Sequence, residues 1–292
     1  MAYQPALARG TPFGINTGRR LVEVPAIQQP LTSVAYESMA NELCGRTLLA
    51  IFAHPDDESL ACGGLLAYCA ERGARVVVVC ATHGENRSGI RDLTLYEMRA
   101  EELRSAALAL GVSEVVLLEY ADGFLPWIDK TEFEARLAEE ITRVDPDVVV
   151  TFGDDGLYWH PDHIAVHERT TAAVAALGDA APALYYVTMP PGQMRKLVNE
   201  SLAQSTSEPA VARLFDVVNP DAFGLEANPP TLILDVSASA RRKLAALKCH
   251  RTQLAYEGLD RLPEDAAARL LGTEHFHRAA IESNRDAFIE RL

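Results

Sequence analysis

Residues 47–58 read TLLAIFAHPDDE, an apolar run that ends in a histidine, a proline and three carboxylates. Such a short, continuous apolar run is typical of a strand buried on both faces of a parallel sheet. The polar cluster then lies at the carboxyl edge of that sheet, where open α/β sheets bind their ligands. This segment therefore predicts an α/β fold and a site for metal binding and proton transfer.

Similar apolar runs recur along the chain, separated by helical patterns. We predict strands at residues 47–53, 75–82, 114–119, 147–152, 183–188 and 231–236. Helices are expected between them, with Thr94–Glu97 and Thr131–Glu134 as Ser/Thr-x-x-Glu capping boxes, and again at about 194–202 and 239–256. This alternation predicts a three-layer α/β/α sandwich with a mostly parallel, Rossmann-like sheet.

The chain divides into two unequal parts. Residues 1–45 carry several prolines and little periodicity, which predicts an extended N-terminal arm with a short helix near 34–42. Residues 46–292 are expected to form a single catalytic domain. Within it, residues 190–230 are rich in Pro, Ser and Asn, which predicts a loop-rich insertion of the kind that is usually functional.

Composition excludes several classes of partner. The 292 residues include 41 acidic and 27 basic ones, a net charge of −14, whereas nucleic-acid binding needs clustered Lys and Arg. The sequence has no apolar run near the roughly 18 residues of a membrane span, and Met1–Arg20 lack the apolar core of a signal peptide. The five cysteines form no CxxC pair, which fits a reducing compartment. We expect a cytoplasmic protein without a membrane span.

A second polar cluster, His160-Pro161-Asp162-His163, follows the strand predicted at 147–152. Proline suits the first position of a helix, so His160 would precede the helix and His163 would lie in its first turn. One histidine can bind a metal while the other donates a hydrogen bond to a developing oxyanion. Asp162 can orient either imidazole.

The first cluster offers the complementary groups. His54 and Asp57 stand three residues apart at a strand end, where both can reach one ion, and Asp56 projects differently. Hydrolysis at zinc needs three protein ligands, an open position for water and a carboxylate to take its proton. Together the two clusters predict a zinc-dependent hydrolase.

These motifs resemble the LmbE/PIG-L family of zinc-dependent de-N-acetylases, which includes the deacetylases of mycothiol and bacillithiol biosynthesis. Weaker motifs of the family recur in order over residues 46–280. They are the T-x-G-E turn at 82–85, the K-x-x-A-x-x-x-H-x-x-Q helix at 243–253 and the E-x-F motif at 274–276.

The resemblance implies a role for each matching residue. His54, Asp57 and His163 would hold Zn²⁺, although Fe²⁺ or another divalent metal accepts the same ligands. Asp56 would be the general base, and His160 would stabilise the oxyanion and protonate the leaving amine. Asp162 would tune His160, and Tyr158 occupies the place of a mobile tyrosine in the mycothiol branch.

The expected substrate is a small N-acetylated amino sugar or glycoconjugate that loses its acetyl group. Glu85, Arg87 and Arg91 follow the second strand on the same sheet edge, where they could hydrogen-bond sugar hydroxyls or a phosphate. A homo-oligomer is compatible with this sequence.

Three alternatives remain open. An amidase that cleaves a larger acyl group or a cysteinyl conjugate would keep the same metal site. A nucleotide-binding or dehydrogenase domain would share the strand pattern, but the first turn reads His-Pro-Asp-Asp rather than Gly-x-Gly-x-x-Gly. A non-catalytic sugar-binding relative would not need every presumed catalytic position to be filled.

Overall fold

The fold is described by a computed structural model over residues 20–23, 41–87, 89–203, 219–253 and 262–292. Most of the helix expected near 34–42 lies outside these residues. The strands are β1 Arg20–Glu23, β2 Thr47–Phe52, β3 Arg75–Thr82, β4 Asn86–Arg87, β5 Ile90–Arg91, β6 Glu114–Tyr120, β7 Val148–Phe152, β8 Ala183–Thr188, β9 Leu232–Asp235 and β10 Thr273–Arg278.

Eight of these strands form one sheet in the order β1-β6-β3-β2-β7-β8-β10-β9. The five central strands, β6, β3, β2, β7 and β8, are all parallel to one another. On the outer sides of these five, β1 pairs antiparallel with β6 and β10 pairs antiparallel with β8, and the edge strand β9 pairs antiparallel with β10. The prediction of a mostly parallel sheet is confirmed.

Helices cover both faces of the sheet, as the three-layer prediction requires. Helices α1, α2, α7 and α8 contact one another on one face, and α3 packs on α5 on the other. The helices are α1 Asp57–Glu71, α2 Leu93–Leu110, α3 Lys130–Val144, α4 Gly156–Trp159, α5 Pro161–Ala176, α6 Gln193–Ala203, α7 Ala240–Leu247 and α8 Glu264–Leu271. None of those helices is long and apolar enough to cross a bilayer.

Strand β2 lies at the point where the strand order reverses. From β2 the chain moves outward through β3 to β6, and then returns to β7 on the other side of β2. The loops after β2 and β7 therefore leave the sheet side by side, which opens a crevice at a topological switch point. The two polar clusters follow these two strands.

The central strands form the core. Every residue from Leu48 to Phe52 is fully buried, and so is every residue from Val76 to Val79. Phe52 and Phe152 close the two strands with an edge-to-face contact, their ring centroids 4.9 Å apart. The loops of the crevice therefore rest on a tightly packed base.

The predicted helix starts need correction. Asp92 caps α2 by accepting the N–H groups of Thr94 and Leu95, and Asp129 caps α3 by accepting the N–H of Glu132. Both capping boxes, at Thr94–Glu97 and Thr131–Glu134, are wrong because an aspartate two residues before the threonine caps the first turn instead.

Two further segments differ from the sequence prediction. The helix expected at 239–256 ends at Leu247, and tight turns follow it through Gln253. The strand β10 was not predicted, and neither was β1, which adds four residues of the expected N-terminal arm to the sheet edge. Strand β10 alternates buried Glu274 and Phe276 with more exposed residues, a period-2 pattern that could have revealed it.

A buried ion pair joins α7 to β10. The Lys243 ammonium lies 2.6 Å from the Glu274 carboxylate, and that carboxylate also accepts the N–H groups of Gly64 and Leu65 at 2.8 and 2.9 Å. Both charged side chains are about 95% or more buried. Glu274 therefore depends on Lys243 for its neutralising charge.

We expect Lys243→Met to lower the free energy of unfolding by about 3–5 kcal/mol, because it leaves the Glu274 carboxylate buried without a counter-charge. Arg241→Met on the same helix is the control, since Arg241 pairs with Glu264 at an exposed position and should cost less than about 1 kcal/mol. Urea unfolding of both variants measures the difference. Equal effects would contradict the assignment of Lys243 to a buried pair.

Candidate active site

The turn after β2 brings His54 and Asp57 together. The backbone N–H of His54 donates to Asp57 Oδ2 at 2.8 Å, which closes the turn before α1 begins at Asp57. Asp56 sits between them with φ of 125°, a conformation that non-glycine residues rarely adopt. From this backbone the Asp56 carboxylate reaches the Arg99 guanidinium, 3.2 Å away.

The loop after β7 places the second cluster as predicted. His160 is the N-cap of α5, Pro161 is its first residue and His163 lies in its first turn. The N–H of Asp162 donates to Nδ1 of His160 at 3.2 Å. If that imidazole is neutral, its proton is on Nε2.

Three side chains from the two clusters converge. His54 Nδ1 lies 3.1 Å from His163 Nε2. The Asp57 carboxylate lies beside both nitrogen atoms, with Oδ2 3.4 Å from His54 Nδ1 and Oδ1 3.3 Å from His163 Nε2. Ligands at zinc–nitrogen and zinc–oxygen bond lengths in a tetrahedral site lie about 3.3 Å apart. The spacing of these three groups therefore fits one metal ion.

The outer nitrogen atoms of both rings have partners that fix the ring orientation. His54 Nε2 lies 3.2 Å from Asp162 Oδ2 and 3.1 Å from Asp122 Oδ1, and His163 Nδ1 lies 3.1 Å from the Gly156 carbonyl oxygen. These acceptors hold the protons there and leave lone pairs on the two inner nitrogen atoms. Such lone pairs, 3.1 Å apart, are stable only with a cation or a proton between them. The described residues thus contain a His/Asp group that can hold a metal.

Within this group, the surroundings of His54 favour a positive charge and those of Asp57 favour a negative charge. Burial lowers the pKa of His54, but the carboxylates that hydrogen-bond it, first Asp122 and then Asp162, raise that pKa well above its ordinary value. Burial would raise the pKa of Asp57, but His163 and His54 hold it well below the usual range. Asp57 is therefore ionised and ready to bind a cation.

The pKa values of His163 and Asp56 shift in the opposite directions to those of His54 and Asp57. Burial lowers the pKa of His163 to about 3, against the opposing charge of Asp57. Burial also raises the pKa of Asp56 to about 7, although the Arg99 guanidinium lowers it. The adjacent carboxylates of Asp56 and Asp57 thus differ strongly in proton affinity, a pattern that separates a base from a ligand.

His160 is the other imidazole near this group. Nitrogen atoms of His54, His160 and His163 all lie within 4.8 Å of one another, so His160 is a geometric alternative as a ligand. Burial and then the charge of His54 lower its pKa. Asp57 fits the metal position better than His160, because it contacts both inner nitrogen atoms at ligand spacing.

Arg99 holds Asp56 in place, and sequence reasoning missed it. Its Nη2 lies 3.2 Å from Asp56 Oδ2 and donates to the Pro55 carbonyl oxygen at 2.6 Å, while Nη1 donates to the Gly84 carbonyl oxygen at 3.0 Å. A Cβ on Gly84 would lie 2.4 Å from the guanidinium. The glycine of the T-x-G-E turn therefore makes room for this arginine.

A cavity of about 200 Å³ opens beside these groups. Among the described residues its lining comprises His54, Asp56, Asp57, Leu60, Asn86, Arg99, Asp122, Gly123, Leu157, Tyr158, His160 and Gln253. Neither Asp122 nor Gln253 is among the substrate-binding residues predicted from the sequence. Asp122 follows β6, the next strand along the same sheet edge, and that position was the available signal.

Two of the residues predicted to bind the substrate, Glu85 and Arg91, contact each other. Glu85 is buried and forms an ion pair with Arg91 at 3.2 Å, and neither belongs to the cavity lining given above. The side chain of Arg87 lies outside the described residues. The neighbouring Asn86 lines the cavity instead, and its N–H donates to Asp122 Oδ2 at 2.9 Å.

Tyr158 and Asp162 both contact residues that the sequence did not indicate. Tyr158 lines the cavity and stacks on Phe223 with ring centroids 4.7 Å apart. The Asp162 carboxylate contacts His54 and accepts the N–H groups of Gly123 and Leu125. The charge of Asp162 partly offsets the lowering of the His160 pKa. Its side-chain contact, however, orients the imidazole of His54.

A doubly wound α/β sheet with a His/Asp metal-binding group and a spare carboxylate at its switch point defines a class, the metal-dependent hydrolases of α/β architecture. The family model PIG-L, GlcNAc-PI de-N-acetylase, matches residues 49–174. The 1D-myo-inositol 2-acetamido-2-deoxy-alpha-D-glucopyranoside deacetylase of Acidothermus cellulolyticus is 32% identical over 258 residues, covering 79% of this chain and 88% of that relative. The chain belongs to the PIG-L family, as its motifs predict.

Two solved structures share the fold. N,N'-diacetylchitobiose deacetylase from Pyrococcus horikoshii superposes with a TM-score of 0.53 at 23% identity, over 80% of this chain and 84% of that one. GalB, the 4-carboxy-2-hydroxymuconate hydratase from Pseudomonas putida KT2440, gives 0.56 at 20% identity, over 82% and 99%. Because these two enzymes differ in reaction, the fold alone does not decide the chemistry, and the site must.

Proposed function

We propose that this protein hydrolyses the acetamide of an N-acetylated amino sugar or glycoconjugate, releasing acetate and a free amine. The observation that carries the proposal is the convergence of His54, Asp57 and His163 at ligand spacing, with Asp56 beside them on the cavity wall. The deacetylase named above, whose substrate is an N-acetylglucosamine–inositol conjugate, supports the same reaction.

The proposed metal ligands are His54, Asp57 and His163, and the proposed metal is zinc. When bound, the ion would lower the pKa of a coordinated water and polarise the acetamide carbonyl. A two-histidine, one-carboxylate set also accepts ferrous iron. The choice between the two metals therefore belongs to elemental analysis.

Asp56 is the proposed general base. It lines the cavity, and its carboxylate is fixed by Arg99 rather than by the metal-binding group. A carboxylate so placed removes the proton from the attacking water and can return it to the leaving nitrogen. Arg99 acts by positioning Asp56.

His160 is the proposed oxyanion donor. Its Nδ1 accepts the Asp162 N–H, so that Nε2–H is left to donate to the acetamide oxygen as negative charge develops there. His160 is also a candidate to protonate the leaving amine. Tyr158, beside it on the cavity wall, is proposed as a second donor to the substrate.

Sugar hydroxyl groups are proposed to bind Asn86 and Asp122 in place of Glu85 and Arg91, whose charges satisfy each other. Asn86 and Asp122 line the cavity, and the backbone N–H of Asn86 donates to the Asp122 carboxylate. The substrate would be a small molecule, and a cytoplasmic location and a homo-oligomeric state stay predictions for this chain.

A screen of acyl donors tests the proposal. Purified protein is incubated with N-acetylglucosamine, its α- and β-linked glycosides, N-propionyl and N-hexanoyl analogues and a cysteinyl conjugate, and acetate and free amine are both measured. We expect acetate and amine in equal amounts from at least one N-acetylglucosaminide, in proportion to the metal content of the preparation. Amine release from only the larger acyl or cysteinyl substrates would favour the amidase alternative and contradict the proposal.

A further inference from the structure

The backbone of Asp56 has a conformation that must be held from outside. Its φ of 125° and ψ of −27° lie outside the regions that side-chain-bearing residues normally occupy. Such residues are strained and persist only where surrounding contacts impose them. The carbonyl oxygen of Asp56 is held by the N–H groups of Ser59 and Leu60 at 3.1 and 3.0 Å. Its N–H needs a partner of its own.

That partner is the carboxylate of Glu58, which is 99% buried. Glu58 Oε2 accepts the Asp56 N–H at 3.1 Å. Glu58 Oε1 accepts the hydroxyl of Ser59 at 2.5 Å and lies 3.1 Å from Nε2 of His250. One carboxylate thus joins the strained peptide to a histidine that is distant in the sequence.

His250 reaches this carboxylate because α7 ends early. Helix α7 ends at Leu247, and the following turn is closed by the N–H of His250 donating to the Leu247 carbonyl oxygen at 3.2 Å. The imidazole is fully buried. Burial lowers its pKa, but the charge of Glu58 and the hydrogen bond to it raise that pKa above its ordinary value. A buried hydrogen-bond partner of this kind fixes the position of the Glu58 carboxylate.

We infer that Glu58 and His250 form a positioning pair that holds the Asp56 peptide at positive φ and so aims its carboxylate into the cavity. Neither residue belongs to the cavity lining or to the metal-binding group found among the described residues. The pair acts through the backbone of Asp56, whereas Arg99 acts on its side chain. This inference rests on the proposed role of Asp56 as the base.

His250→Leu tests the pair, because leucine fills the space but gives Glu58 no donor. We expect kcat for N-acetylglucosaminide hydrolysis to fall about 10- to 100-fold, the loss expected from a displacement of roughly 1 Å in a catalytic group. KM and metal content should each stay within about twofold of the wild type. His250→Gln, whose amide can donate to Glu58, should recover kcat to within about threefold of the wild type.

Two controls separate positioning from general destabilisation. His83→Leu removes another buried histidine, one that stacks on Tyr96, and should leave kcat nearly unchanged. In an Asp56→Asn background, His250→Leu should lower the residual turnover by less than about twofold, because the two substitutions then act on the same group. Loss of metal in His250→Leu, an unchanged kcat, or an equal loss in both backgrounds would overturn the inference.

A crystallographic measurement keeps the inference separate from the proposed function. In His250→Leu we expect the Asp56 φ to leave the positive region and its N–H to move beyond hydrogen-bond distance of Glu58. If the wild type hydrolyses no N-acetylglucosaminide but this rearrangement occurs, the proposed function fails and the positioning contact stands. If the Asp56 backbone is unchanged in the variant, the inference fails whatever the substrate.

Discussion

His163→Ala is expected to lose the bound metal and the deacetylase activity together. The Nε2 atom of His163 supplies one of three groups at ligand spacing, and its ring is fixed by the Gly156 carbonyl oxygen. With two ligands left, affinity should fall until purified protein contains less than about 0.1 metal per chain. Turnover should fall at least about 10³-fold, which is about 4 kcal/mol of transition-state stabilisation. Elemental analysis and acetate release measure the two effects on one preparation.

His167→Ala is the matched control on the same helix. His167 lies one turn beyond His163, and its Nδ1 donates to the Phe152 carbonyl oxygen at 2.9 Å. It should keep its metal and most of its activity. His160→Ala should also keep the metal, but with a kcat lowered by the loss of an oxyanion donor, about 10²-fold. If His160→Ala loses the metal as His163→Ala does, while Asp57→Asn retains it, the ligand set is the one built on three imidazoles instead.

The proposed ligands could be placed from the sequence because their geometry is local. His54 and Asp57 are brought together by one turn, and Pro161 fixes His163 in the first turn of α5. The rule that parallel strands end at one edge then places both clusters side by side. To bring the two clusters together, the fold must in addition pair β2 with β7. Apolar runs predicted both of these strands.

The rest of the site depends on contacts that no local pattern encodes. Arg99 lies inside a helix whose face could not be assigned without knowing that Gly84 leaves space for a guanidinium. Glu85 and Arg91 were expected to reach the substrate, but they neutralise each other, and Arg91 also lies over the ring of Tyr96 at 5.4 Å. A charged residue near a sheet edge faces the cavity only if no closer partner takes its charge.

The antiparallel edge escaped prediction for a similar reason. Strand β10 carries His275 and His277 on either side of buried Phe276, so it does not read as the continuous apolar run that predicts the central strands. Its place is fixed by pairing with β8 and β9 and by the Glu274 carboxylate reaching α1. Contacts between residues this far apart in the sequence outweigh the weak strand preference of the segment itself.

The adjacent residues Asp56 and Asp57 should respond in opposite ways to the same substitution. Asp56→Asn is expected to keep about one metal per chain while turnover falls about 10²–10⁴-fold, because an amide cannot accept the proton of the attacking water. Asp57→Asn is expected to lose the metal, since its carboxylate contacts both His54 and His163. Elemental analysis together with single-turnover acetate release distinguishes the two.

The contrast is sharp because the two carboxylates share almost the same position in the sequence but not the same environment. Asp57 faces two imidazoles, which stabilise its charge, whereas Asp56 faces the cavity and one guanidinium under strong desolvation. Asparagine at 56 keeps the size of the side chain, so a loss of turnover would report the missing proton acceptor rather than a collapsed wall. Near-native turnover in Asp56→Asn would require another base, and metal loss in that variant would make Asp56 a ligand.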